Sequence, residues 1–511
     1  MLIKAGLLAL FLATSLAVGF ATRSRNRSVD SFVLGGRSVG PWLTAFAYGT
    51  SYFSAVVFVG YAGQFGWRFG ISAVWIGLGN AFIGSLLAWV VLARRTRLIT
   101  HHLGSATMPD FFGKRLNSPN LKLAASVITF VFLIPYTASL YNGLSRLFEM
   151  AYHVDFVVCI VIMAVITGVY VIIGGYTATA VNDFIQGIIM LAGIVMVIGA
   201  ALGVNGGFIG SMKALANVTD PAADGMPGAF ASMFGPNPLD LLGVVLLTSV
   251  GTWGLPQMVA KYYSIRSEKN ISTGTVISTV FAVIVAGGCY FLGGFGRLFP
   301  VDVAASGYDA VIPSMLSGFS DWMIGIVIVL VFAASISTLS SLVMSSASTF
   351  TLDFLRGGLV KDMDEKRQLL TIRWLIAGFI AVASAIAVIQ YKGGLSFIAQ
   401  MMGISWGALA GAFLAPFLYG LYARWMTSAA VWANFIFAAS VMILNIFVRP
   451  AFPAIIQSPI NCGAFVMLAG LAIVPAVSLV TPKLGRGHLD RVFSCIEPNT
   501  AGTGRQFLKA E

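Results

Sequence analysis

The chain has 511 residues, 58% of them hydrophobic and only 10% charged, with 56 glycines and a mean hydropathy of +0.88. That balance excludes a soluble globular domain and a nucleic-acid-binding module, and leaves a polytopic membrane protein of the all-α class. The net charge of +12 therefore matters through its placement along the chain more than through its size.

Apolar runs long enough to cross a bilayer, roughly 20 residues each, are predicted near 2–21, 42–66, 71–93, 121–146, 156–174, 183–203, 237–260, 272–296, 322–352, 374–391, 395–420, 427–448 and 458–480. This reading gives about thirteen spans. The first resembles a cleaved leader in its apolar core, but Arg23, Arg25 and Arg27 follow it directly, as they do in an anchor whose amino end lies outside. With that orientation, segments 22–41, 94–120, 261–271, 353–373, 421–426 and 481–511 face the cytoplasm and, with Lys122, hold most of the 31 Lys and Arg residues. Lys261 falls at the start of one such segment, so no Lys or Arg is placed in mid-span. The carboxyl tail is expected in the cytoplasm of a cell-membrane protein.

The outer loop 204–236 and the tail 483–511 are too short to form catalytic domains. The four cysteines, Cys159, Cys289, Cys462 and Cys495, stand singly without metal-ligand or disulfide spacing. Only four histidines exist, His101, His102, His153 and His488, and no Ser–His or carboxylate cluster accompanies them. An enzyme is not expected.

Two spans carry interruptions. Ala47 to Ser54 (AYGTSYFS) breaks the second, and Thr248 to Pro256 (TSVGTWGLP) breaks the seventh, five spans later. Gly, Pro and hydroxyl residues free backbone polar groups that hydrocarbon tolerates only where a cavity or ligand satisfies them. A matched pair of broken spans is the pattern of an inverted-repeat carrier with its site at the bilayer midplane. The bland alternative is a pair of packing glycines.

Within the ninth span, Ala334, Ser337, Thr338, Ser341, Ser345 and Ser348 fall on one face roughly 100° wide at helical spacing. Small hydroxyl residues pack helices closely in membranes, and they also supply oxygen ligands for a hard cation. Asp183, after GGYTATAVN near the start of a span, is placed either to cap a helix or to face an ion path. Arg146 and Glu149 are spaced to pair along a helix, and Arg94, Arg95, Arg97, His101 and His102 form a basic cytoplasmic patch.

Several stretches resemble the sodium:solute symporter family in order and separation: SFVLGGRSVGPWLTAFAYGTSYFSAVVFVGYAGQFG at 31–66, YTASLYNGLSRLFE at 136–149, GGYTATAVNDFIQ at 174–186, GLPQMVAKYYSIRSEKNI at 254–271, AASISTLSSLVMSSASTFTLDFL at 333–355 and GISWGALAGAFLAPFLYGLYARWMTSAA at 403–430. The third, fourth and last are most similar to its proline and pantothenate branch. The resemblance implies a LeuT-type fold. In it a helix and loop (1–41) precede a first repeat at 42–203, an outer loop at 204–236 and an inverted second repeat at 237–420, and two helices (421–482) and the tail follow.

It further implies a sodium ion held by the backbone oxygens of Thr50, Phe53 and Ala334 and the hydroxyls of Ser337 and Thr338. A second sodium, at the positions used in the sialic acid carriers, would take Asp183, Ser340 and Ser341 together with Ser337. A proton on Asp183, or a capping Asp183 beside packing serines, stands as the alternative. The implied solute site gathers Tyr52, Val56, Tyr136, Thr252, Trp253, Gln400 and Trp406. Tyr52 and Val56 stand where the proline carriers have aspartate and tryptophan, a departure that speaks against proline itself.

The expectation is thus a sodium-coupled symporter in the lipid bilayer importing a small organic solute, most simply an amino acid or organic acid. No nucleic acid and no obligate protein partner is expected. The rival readings are a transporter-like sensor and a carrier for a sugar, a sialic acid or a vitamin.

Overall fold

The computed structural model describes residues 2–22, 28–220, 225–360, 362–393 and 398–496. The basic flank Arg23 to Arg27 and most of the tail after residue 482 lie outside the described residues. Ten helical runs are long and apolar enough to cross a membrane, or eleven when Pro238–Gly254 and Pro256–Tyr263, bent by 45° at their junction, are taken as one broken span. This count is lower than the expected thirteen. The difference lies in two runs, Val56–His102 of 47 residues and Phe156–Gly203 of 48, each joining helical segments across a glycine whose backbone is not helical.

Both long runs change direction where glycine permits it. Gly175 takes φ 54 and ψ −166 inside Phe156–Gly203, and Gly70, at φ +63, opens a short turn inside the other run. A side chain at either position would be strained by the left-handed φ. At Gly70 a Cβ would also lie 2.1 Å from the carbonyl oxygen of Phe230.

Helix starts follow local chemistry. Pro41, Pro119, Pro238 and Pro256 each occupy a first helical turn, where a missing N–H costs nothing. Ser320 caps the serine-rich helix Asp321–Thr349 by accepting from the Met323 N–H at 3.4 Å.

The serine-rich helix lies at the centre, with 89% of its apolar window buried. Peripheral helices turn branched apolar side chains outward: Val158, Val161, Ile162, Val165 and Val169 on Phe156–Gly203 are exposed at helical spacing, as a lipid-facing stripe requires. Close helix contact inside depends on glycine. A Cβ on Gly407 would sit 2.7 Å from the Cα of Gly463, between Ile398–Tyr422 and Pro459–Val480.

On one side of the bundle Lys4 pairs with Asp321 at 3.0 Å and donates to the Ala151 carbonyl at 3.3 Å. On the opposite side Val39 and Ile265 form a single parallel bridge, and Arg97 donates to the Ile265 carbonyl at 2.8 Å and to that of Arg266. The basic patch is thus partly a set of staples, with Arg94 also held by Glu268 at 2.6 Å. Arg146 does not take its expected partner: it lies over the rings of Phe156 and Tyr391, at 5.5 and 5.1 Å, and Glu149 instead accepts from the Tyr391 hydroxyl at 3.3 Å.

Candidate functional site

Both interruptions are real breaks. Helix Pro41–Tyr52 stops at Phe53, whose backbone is extended at φ −110 and ψ 129, and helical geometry resumes at Ala55. The second break is a short turn at Gly251–Gly254 ending in extended Leu255. Ending the first helix at Tyr52 removes the N–H groups that would otherwise occupy the carbonyls of its last turn.

Those freed carbonyls meet the hydroxyl stripe. Ser337 Oγ donates to the Thr50 carbonyl at 3.1 Å and lies 2.9 Å from the Ala334 carbonyl. Thr338 Oγ1 lies 3.3 Å from the carbonyls of both Thr50 and Phe53 and 3.0 Å from that of Ala334. Five oxygens, three from backbone and two from side chains, converge where no residue is more than 2% exposed. A hard cation with oxygen ligands at about 2.3–2.6 Å places oxygens at right angles roughly 3.3–3.7 Å apart. The observed spacings lie at or just below that range, so such a cation would need these oxygens to move slightly apart, with no rebuilding of the backbone.

One turn further along the same helix, Ser340 Oγ bonds the Ser337 carbonyl at 2.9 Å, and Ser341 Oγ meets Ser51 Oγ at 2.8 Å. Asp183 joins this group from the middle of Phe156–Gly203, fully buried, with neither carboxylate oxygen accepting a hydrogen bond. It caps no helix. The structure adds Lys261, 3% exposed, which donates to Ser341 Oγ at 2.9 Å and stands 3.9 Å from Asp183 Oδ2 and 5.2 Å over the Tyr176 ring. The expected loop position of Lys261 is therefore corrected. Helix Pro256–Tyr263 continues past the second break and carries the lysine inward.

The expected solute residues are only partly assembled. The Trp406 ring lies 5.9 Å from those of Tyr52 and Tyr136, and Val56, fully buried, follows the first break. Trp253 instead donates to the Ile83 carbonyl at 3.1 Å, and Thr252 to the carbonyls of Ser249 at 2.8 Å and Gly84 at 3.3 Å. Gln400 is held by Arg449 at 3.3 Å, more than a turn from Trp406 along their helix.

Sequence reasoning missed three members of the aromatic group: Tyr61, Tyr290 and Ser54. Tyr61, Tyr136 and Tyr290 all lie close enough to Tyr52 to interact with it electrostatically. The Tyr61 hydroxyl and the indole N–H of Trp406 are buried without a hydrogen-bond partner, whereas the Tyr136 hydroxyl faces Ser54 and that of Tyr290 faces Asn80. Buried polar groups are nearly always paired, so the two unpaired ones leave hydrogen-bonding capacity in this cluster. No signal in the sequence marks them, because periodicity does not show which side chains from distant stretches converge.

Two broken helices, an oxygen cage where one of them ends, and an adjoining polar-aromatic cluster define a helical membrane carrier for an ion and a solute. The description "Sodium:solute symporter family" matches residues 32–436, and the chain belongs to that family, whose members are symporters and not enzymes. A sodium/proline symporter of Staphylococcus aureus is 28% identical over 494 residues, covering 94% of this chain and 92% of the relative. The sodium/proline symporter of Staphylococcus aureus strain COL matches with the same identity and coverage. A solved Na+-coupled sialic acid symporter, substrate-bound and outward-open with a novel Na+ site, is similar with a TM-score of 0.75 at 17% identity, over 95% of this chain and 99% of that one. At that identity the likeness concerns the fold.

Proposed function

We propose that this carrier imports a small solute bearing a carboxylate, an amino acid or short organic acid, together with sodium bound by Thr50, Phe53, Ala334, Ser337 and Thr338. The observation that carries the reading is the meeting of three backbone carbonyls and two hydroxyls at the first helix break. A neutral cage of this kind binds a monovalent cation weakly enough to release it each cycle. The solute would sit among Tyr52, Ser54, Val56, Tyr61, Tyr136, Tyr290 and Trp406, with N–H groups at the broken helix ends facing its carboxylate. Trp253, Thr252 and Gln400, bonded elsewhere, would line its approach.

In the same reading the two long runs each cross twice, which gives thirteen crossings. The repeats are 42–203 and 237–420, the amino terminus is outside and the tail cytoplasmic. Sodium binding favours the solute-competent conformation, and occupancy of both sites permits one helix bundle to rock against the other. The relatives named for proline support an amino-acid-sized solute, and Tyr52 and Val56 on the first broken helix argue for one other than proline.

The test is a thermal-shift screen of amino acids, short monocarboxylates, sialic acid, neutral sugars and vitamins in sodium against potassium buffer, followed by uptake of the best binder into proteoliposomes with and without a sodium gradient. Stabilisation by a carboxylate-bearing solute in sodium only is the expected result. Stabilisation by neutral sugars alone overturns the solute class, and uptake indifferent to sodium overturns the coupling.

A further inference from the structure

The Asp183 carboxylate is fully buried, and neither of its oxygens accepts a hydrogen bond. A charge so placed needs a cation beside it. Asp183 was expected to hold a second sodium together with Ser337, Ser340 and Ser341, and it is linked to Ser341 through a side chain that touches both. The cation the chain itself supplies is Lys261. Its ammonium donates to Ser341 Oγ at 2.9 Å, stands 3.9 Å from Asp183 Oδ2 and lies 5.2 Å over the Tyr176 ring. Serine, carboxylate and ring face together satisfy an ammonium in the way that oxygen ligands satisfy a bare ion. A second ion on Ser341 at the roughly 2.3–2.6 Å of a hard-cation ligand would share that one oxygen with the ammonium, leaving two positive charges against a single carboxylate in a low-dielectric interior. A cavity of about 30 Å³, lined by Lys261, Ser340, Ser341, Tyr176, Thr179 and Gln257 among others, adjoins the ammonium.

We propose that Lys261 is a tethered cation that permanently holds the second ion position beside Asp183 and Ser341, so that this carrier binds one sodium ion per chain. The inference rests on the sodium-carrier reading, in which that one ion sits at the Ser337 and Thr338 cage. The lysine belongs to the segment after the second break, while Ser341 reaches Ser51 at 2.8 Å on the helix before the first break. A fixed ammonium thus ties the two broken helices through the serine-rich helix, a link that a diffusible ion supplies only while bound.

The experiment counts ions directly, with no solute: equilibrium binding of 22Na+ to the purified full-length protein in lipid nanodiscs. The expected wild-type count is one per chain. Lys261→Ala and the similarly sized, uncharged Lys261→Met expose Asp183 to a mobile cation and are expected to bind two. Adding Asp183→Asn to either returns the count to one, and adding Thr338→Val to either weakens the cage, so that at a sodium concentration just saturating the wild type the count falls towards one, the ion at Asp183. A wild-type count of two overturns the tethered-cation assignment while the sodium reading stands, and so does a count of one in both lysine variants. A wild-type count of zero overturns the sodium reading and the assignment with it. The wild-type measurement decides by itself should the alanine variant fail to fold.

Discussion

Thr338 is the residue through which the proposed sodium cage is tested most severely, because its hydroxyl lies within 3.3 Å of three of the carbonyl oxygens: Thr50, Phe53 and Ala334. Thr338→Val keeps the branched shape and removes the oxygen. An interaction between a polar group and a charged partner contributes about 1.5–3 kcal/mol, and about 1.4 kcal/mol is a factor of ten in affinity. The sodium concentration for half-saturation is therefore expected to rise roughly ten- to a hundredfold. Thr338→Ser retains the oxygen and is expected to stay within about threefold of wild type, which separates coordination from packing. Thr129→Val is the control: its hydroxyl bonds only the Ala125 carbonyl of its own helix, at 2.8 Å, and its loss is expected to leave sodium affinity unchanged. The assay is 22Na+ binding on purified protein. Wild-type affinity in Thr338→Val, or an equal loss in Thr129→Val, refutes the reasoning.

Three further outcomes are expected. Gly66→Ala places a Cβ 2.0 Å from the backbone oxygen of Gly293, where no side chain can yield; a loss of about 3 kcal/mol is expected as a lowered melting midpoint in detergent, and an unchanged midpoint contradicts the packing. Tyr136→Phe removes a buried hydroxyl whose one neighbouring polar group is Ser54, so stability is expected to fall by no more than about 1 kcal/mol while affinity for the solute found by thermal-shift screening falls at least about tenfold; a stability loss with unchanged affinity contradicts the ligand role. Asp183→Asn strands the Lys261 charge and is expected to cost about 3–5 kcal/mol, whereas Asp183→Asn with Lys261→Met recovers most of it; equal destabilisation of the single and double variants in a thermal melt denies the ion pair.

What the sequence made legible followed from local chemistry. The two breaks were readable from Gly49, Ser54, Gly251, Gly254 and Pro256, residues that weaken helices wherever they stand, and the hydroxyl face was readable from the spacing of Ser337, Thr338 and Ser341. Span boundaries were less legible, because hydropathy marks where lipid is and not where hydrogen bonding stops. The run through Gly175 is two helices that meet directly at a kink, where hydropathy leaves residues 175–182 between spans. Lys261 was misplaced for a related reason: a charge directly after an apolar run reads as a loop residue, and only the packing of Pro256–Tyr263 against the serine-rich helix turns it inward. The aromatic cluster needs Tyr52, Tyr61, Tyr136, Tyr290 and Trp406 from four separate stretches of chain, a convergence that no window of sequence contains.

The oxygen cage has a consequence for how such carriers diverge. Three of the five ligands proposed for sodium are main-chain carbonyls, at Thr50, Phe53 and Ala334, and a carbonyl is contributed by whichever residue occupies the position. Side-chain identity there is free to drift as long as the chain still turns out of its helix at the same place. Ion selectivity is therefore inherited largely as a shape, and two descendants with little side-chain identity at those positions can still select the same ion. Only Ser337 and Thr338 would register the site in a substitution scan, which makes a buried ion path of this kind appear simpler to mutational inspection than it is.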